Sequence, residues 1–129
     1  MTDETTTPVR YLIARVEDVP ERGVVLSQAG ELQIGVFKVH GRLYAYENRC
    51  AHQGGPVCRG DVVGRFEERI GEGGISLGLV ESDERIDIAC PWHGWEYDIE
   101  TGEHIADGSI KLRSFRVYED EGTVYVDVP

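Results

Sequence analysis

Four side chains in two short segments have the types and spacing to hold a metal centre. Cys50 and His52 lie in CAHQGG (50–55), and Cys90 and His93 lie in CPWHGW (90–95). Each segment runs cysteine, then histidine two or three residues on, then glycine, and 37 residues separate His52 from Cys90. A lone cysteine is usually a small core residue, and a lone histidine is usually structural. Two such pairs, each followed by glycine and each preceded by a strand-like run, point instead to two loops closing on one centre. Two thiolates and two imidazoles suit a tetrahedral zinc ion. They also suit a [2Fe-2S] cluster with both cysteines on one iron and both histidines on the other. Zinc fingers pair their cysteines closely and place the histidines later. Here each loop mixes the two types, which suits the binuclear centre because each loop then reaches both irons.

The elements that must position these loops are strands. VRYLIARV (9–16) reads as a first strand, and ELQIGVFKV with RLYAYENRC reads as a hairpin about His40 and Gly41. RIDIAC is a short strand leading into Cys90. WEYDIETGEHI folds back around Thr101 and Gly102, and KLRSFRVYED pairs with TVYVDVP through an EDEG turn. In the last strand Val124, Val126 and Val128 alternate with Thr123, Tyr125 and Asp127, a period of two. No segment carries a long helical period. DVVGRFEERI (61–70) predicts at most a short helix, weakened by Gly64. The fold class expected is all-β, built from short antiparallel strands. Residues 59–85 hold six glycines and many charges between the two cysteine segments. They read as a long glycine-rich loop, which in a compact domain is functional or mobile.

Composition narrows the function. The chain has 129 residues, room for one domain with a core. Residues 1–8 read as a disordered polar tail ended by Pro8. A net charge of −11 argues against a nucleic-acid partner, which requires a basic surface. No apolar run is long enough to span a membrane, and the acidic N-terminus is unlike a secretory signal, so the cytoplasm is expected. Three cysteines, an odd number, do not suggest a disulfide framework. They suggest metal binding or catalysis by some and an unpaired thiol in the remainder; Cys58 lies outside the two Cys-His segments.

With Cys50-Ala51-His52 and Cys90-Pro91-Trp92-His93-Gly94 in place, the chain resembles the Rieske iron–sulfur protein family. The likeness extends upstream through VHGRLYAYENRC and downstream through WEYDIETGE, and covers the chain from about residue 9. It implies a Rieske fold of three antiparallel sheets over residues 9–129. A small cluster-binding subdomain would occupy about residues 48–98, with 59–85 as an insertion. It implies one [2Fe-2S] cluster, with Cys50 and Cys90 on the inner iron and His52 and His93 on the outer one. Around these ligands, Gly54, Gly55 and Pro56 are expected to form a rigid turn, and Gly94 to let the backbone close on the cluster. Tyr97 is expected to donate a hydrogen bond to it, and Trp92 and Trp95 to shield it, contact a partner or pack the subdomain.

The resemblance also carries departures. The gap between the loops is longer than the family pattern by about twenty residues, which loop-closure entropy tolerates. Rieske proteins of respiratory complexes bear an extra disulfide-bonded cysteine in each loop, where this chain has Gly55 and Trp92. They donate to the cluster sulfurs from a serine and a tyrosine, where this chain has Trp95 and Tyr97. With one donor lost, a low to intermediate reduction potential is expected. The function implied is a one-electron carrier, not an enzyme on its own. It would run from a flavin-dependent reductase to a terminal oxygenase or a related oxidoreductase. A small subunit of an assimilatory nitrite reductase is the nearest alternative, and a zinc-stabilised binding module is the alternative of another class. His40 and His104 read as a turn residue and an exposed strand residue.

Overall fold

The computed structural model describes residues 8–51, 54–91 and 94–129, so the expected tail, apart from Pro8, lies outside the described residues. Among these described residues nine strands follow in order: β1 (Val9–Arg15), β2 (Val24–Ala29), β3 (Leu32–Val39), β4 (Arg42–Glu47), β5 (Asp61–Ile70), β6 (Ser76–Ala89), β7 (Glu96–Asp98), β8 (Ser114–Asp120) and β9 (Thr123–Val128). The pairing between these strands is antiparallel throughout. Strands β1, β9 and β8 form one sheet and β2, β3 and β4 a second, and the order β1-β9-β8-β4-β3-β2 joins them. The joint is narrow: β4 and β8 meet at Ala45 with Phe115 and at Tyr46 with Ser114. Strands β5, β6 and β7 make a separate third sheet.

The three sheets enclose two cores. Ile34, Val36, Val124 and Val126 centre the first, and Phe37, Val39, Ile88 and Tyr97 centre the second. β3 supplies both, because its residues alternate faces and LQIGVFKV is apolar on each. The expected hairpins hold. His40 and Gly41 turn β3 into β4 with positive φ, and Glu121 and Gly122 do the same between β8 and β9.

Two expectations are corrected. Residues 61–70 form β5 rather than a helix, paired along their length with β6, with register shifts at Gly64/Phe66 and Glu68/Ile70. Gly64 is there for close approach: a Cβ on it would lie 2.1 Å from the carbonyl oxygen of Ser82, where β6 bulges. Residues 59–85 are correspondingly a long two-stranded arm, with non-strand backbone confined to short stretches at each end. β2 was not anticipated. Its segment VVLSQA is only partly apolar, and it is extended because β3 pairs with it along its whole length.

Candidate metal centre

Each candidate loop leaves the end of a strand. Cys50 follows β4 after two residues, and Cys90 follows β6 directly. The two loops then repeat one backbone device. The Cys50 N–H donates to the Gly55 carbonyl at 2.7 Å, and the Cys90 N–H donates to the Trp95 carbonyl at 2.7 Å. In each, the residue four past the cysteine is a glycine in the left-handed region, Gly54 at φ 73° and Gly94 at φ 68°. A side chain is strained there, which is the physical reason both segments need glycine at that position. Pro56 and Gly55 lead into a short 3₁₀ turn, Val57–Arg59.

The folded strands bring the two cysteines together from opposite ends of a long insertion. Cys50 is 3% exposed and Cys90 is 2% exposed, both in the second core with Tyr97. The Tyr97 hydroxyl lies 3.1 Å from Cys50 Sγ. Burial, and next the neighbouring sulfur, hold this phenol well above its ordinary pKa. Tyr97 therefore keeps its proton and donates to Cys50 whenever that sulfur is a thiolate. Two soft donors in one dry pocket, one of them met by a hydroxyl, fit a thiolate-ligated cluster. His52, His93 and Trp92 lie outside the described residues.

Cys58 has a different environment from the other two. It is a buried free thiol, and burial pushes its pKa up to about 12, so it stays neutral and inert. Its N–H is held by the Asn48 side chain at 2.8 Å, and Asn48 is in turn bound to Gln33 through both its backbone and its amide. This bracing of the first loop was not foreseen in the sequence. Trp95 packs against the same core, and the His104 ring lies tilted against it at 4.3 Å between centroids and meets Tyr97 edge-on at 5.6 Å. His104 is thus half-buried, not an exposed strand residue, because the 101–102 turn folds its strand back over Trp95.

On the outer face of the third sheet, Asp87 and Asp98 sit directly opposite each other on β6 and β7. Like charges in that position repel. Arg65 resolves the conflict: its Nε and Nη2 grip Asp87 at 3.0 and 2.8 Å, and Nη2 reaches Asp98 at 3.0 Å. Asp87 is fully buried beneath it. The clamp holds the register of β7 and so the position of Tyr97 between Glu96 and Asp98. Beside Cys50, Arg49, Lys111 and Arg113 line a basic hollow of about 440 Å³ with one acid, Glu47.

Comparison with known proteins agrees with this geometry. The Rieske [2Fe-2S] domain family matches residues 9–116. The 3-phenylpropionate/cinnamic acid dioxygenase ferredoxin subunit of Escherichia coli strain K12 is 27% identical, over 93% of this chain and 94% of its own. Among solved structures, a small subunit assigned to an NADH-dependent nitrite reductase of Mycobacterium tuberculosis superposes with a TM-score of 0.72 at 16% identity, covering 96% of this chain and 98% of its own. The ferredoxin of carbazole 1,9a-dioxygenase from Nocardioides aromaticivorans gives 0.68 at 20% identity, covering 94% and 97%. Two buried cysteines on matched loops, a tyrosine hydroxyl on one sulfur and a family match across most of the length lead to one conclusion: the chain belongs to the Rieske [2Fe-2S] domain family and carries one [2Fe-2S] cluster.

Proposed function

We propose that this protein is a one-electron carrier of the ferredoxin type. Cys50 and Cys90 hold one iron, and His52 and His93 hold the other. A bound [2Fe-2S] cluster supplies reversible one-electron chemistry and no substrate chemistry. The chain's own residues set the terms of that exchange. The buried side chains of the second core keep water from the sulfurs, and the Tyr97 hydroxyl favours the more negative state by donating to Cys50. The observation that carries the reading is the convergence of Cys50 and Cys90 in one core, beside Tyr97.

The electron donor is a flavin-dependent reductase and the acceptor a terminal oxygenase, by likeness to the dioxygenase ferredoxins. Likeness to the nitrite reductase small subunit favours a second reading, a Rieske subunit held in a larger oxidoreductase. The domain comprises residues 9–129, with the cluster part at about 48–98, and acts in the cytoplasm. No helix among the described residues is long and apolar enough to cross a membrane.

The test is the purified protein itself. Iron and inorganic sulfide at the [2Fe-2S] ratio, with a visible spectrum lost in Cys50→Ser and Cys90→Ser and kept in Cys58→Ser, support the ligand set. A colourless protein with zinc bound instead overturns it. Purification alone supports the carrier, and purification only with a large catalytic chain supports the subunit reading.

A further inference from the structure

The β5–β6 arm is rooted beside the cluster site and points away from it. Asp61 pairs with Ala89, one residue before Cys90, so the root adjoins the second loop. Further out, the backbone carbonyl of Asp83 meets His40 Nε2 at 2.7 Å, at the β3–β4 turn. That turn is the end of β4 opposite Cys50. The segment beyond, Phe66–Ile70 on β5 against residues 76–81 on β6, therefore projects from the far side of the molecule.

This outer segment is a two-stranded ribbon, since β7 pairs with β6 only at residues 87–89. Isolated ribbons of two strands are marginal in water and gain stability from a further strand and an apolar face. It also concentrates exposed apolar side chains: Phe66, Ile70, Ile75, Leu77 and Leu79 are each more than half exposed. β5 is the edge of its sheet, is ten residues long and contains no proline. Such an edge is a template for another strand.

We propose that the edge of β5 pairs antiparallel with the β5 of a second copy, about a two-fold axis at Glu68. The sequence of the edge is self-complementary in this register. Glu67 of one copy faces Arg69 of the other, twice, on one side of the sheet. Phe66 faces Ile70, also twice, on the other side. Neither Glu67 nor Arg69 is in an ion pair among the described residues. A four-stranded sheet results, an interface at the small end of specific ones. Both cluster ends are left facing outward, free for redox partners. The opposing features are the like pair Glu68–Glu68 at the axis and the acidic arm, seven acids against three bases in residues 61–85. Charges beyond the contact are screened over about 8 Å at physiological salt.

Sedimentation equilibrium of the cluster-loaded protein, up to about 100 µM, tests this. The wild type is expected to dimerise. Arg69→Glu and Glu67→Arg are each expected to weaken the dimer about tenfold or more, because each turns two attractive cross-strand pairs repulsive. The double variant E67R/R69E restores the contact, and Glu68→Gln tightens it by removing the like pair. The visible spectrum, reporting the distant cluster, stays unchanged in all four and shows that each is folded. A monomer at every concentration overturns the proposal, and so does a dimer indifferent to the single swaps or not restored by the double.

Discussion

At the root of the β5–β6 arm, Ile86, Asp87 and Ile88 are each no more than 1% exposed, while Phe66, Ile70, Leu77 and Leu79 on the same two strands are 55% to 70% exposed. Both regions are antiparallel ribbon, and both carry apolar and charged residues. What differs is the surroundings. At the root, β7 adds a third strand, the second core lies beneath one face, and Arg65 covers the other. At the tip, the apolar side chains stay exposed among the described residues. Burial of a strand is thus set by what the rest of the fold places against it, not by its own composition.

Gly60→Ala should break the root most severely. A Cβ there would lie 1.6 Å from the Ala89 carbonyl oxygen, a backbone atom that cannot swing aside. A loss of about 4 kcal/mol is expected, with Cys90 displaced and the visible spectrum weakened. A fully loaded protein of unchanged melting temperature would contradict this. The matching glycine at the tip, Gly73, has nothing within 4 Å of that position.

Arg65→Met comes next. It leaves Asp87 buried without its cation, opposite Asp98, at a cost of about 3 kcal/mol. Denaturant unfolding of the loaded protein measures it, and a loss below about 1 kcal/mol would mean that the clamp is not what holds the root. Tyr97→Phe leaves packing intact but removes the donor to Cys50. The reduced state is the more negative one, so its loss of a hydrogen bond should lower the midpoint potential by about 50 mV. A redox titration decides between that and no change.

Glu96 contributes less, and through pH. Burial first, then the neighbouring Asp87, raise its pKa. A carboxyl raised by folding takes up protons on folding. Its contribution is therefore full below the ordinary glutamate value and lost as pH rises through the folded one. Glu96→Gln removes this dependence, so the variant should gain stability relative to wild type as pH rises from about 4 toward neutrality. Parallel unfolding curves across that range check the sign. The smallest effect belongs to the tip, where Ile75→Thr should change the stability of the monomer by no more than about 0.5 kcal/mol.

The two cysteine-bearing loops were legible in the sequence because their pattern is local. A cysteine, a histidine and a glycine within five residues form a self-contained pattern, and CAHQGG and CPWHGW carry it twice. The alternating strands around them were legible for the same reason, since Val124, Val126 and Val128 need only a period of two. The arm was misread because DVVGRFEERI carries no decisive local period, and its strand character comes from pairing with β6.

Residue types and spacing by themselves determined the all-β class, the paired loops and the place of Cys50 and Cys90 in them. Tertiary structure alone decided which charges are buried, which cysteine is inert and where His104 lies. Asp87 alternates with Ile86 and Ile88 as an outward-facing residue should. Its carboxylate is buried against Arg65, 22 residues away, which folds across it. Cys58 resembles the other cysteines in type and differs in burial partners, which include Asn48 after β4, Tyr46 and Glu47 on β4 and Gly35 on β3. Contacts of this kind depend on how strands are placed against one another, and no short window of sequence contains that information.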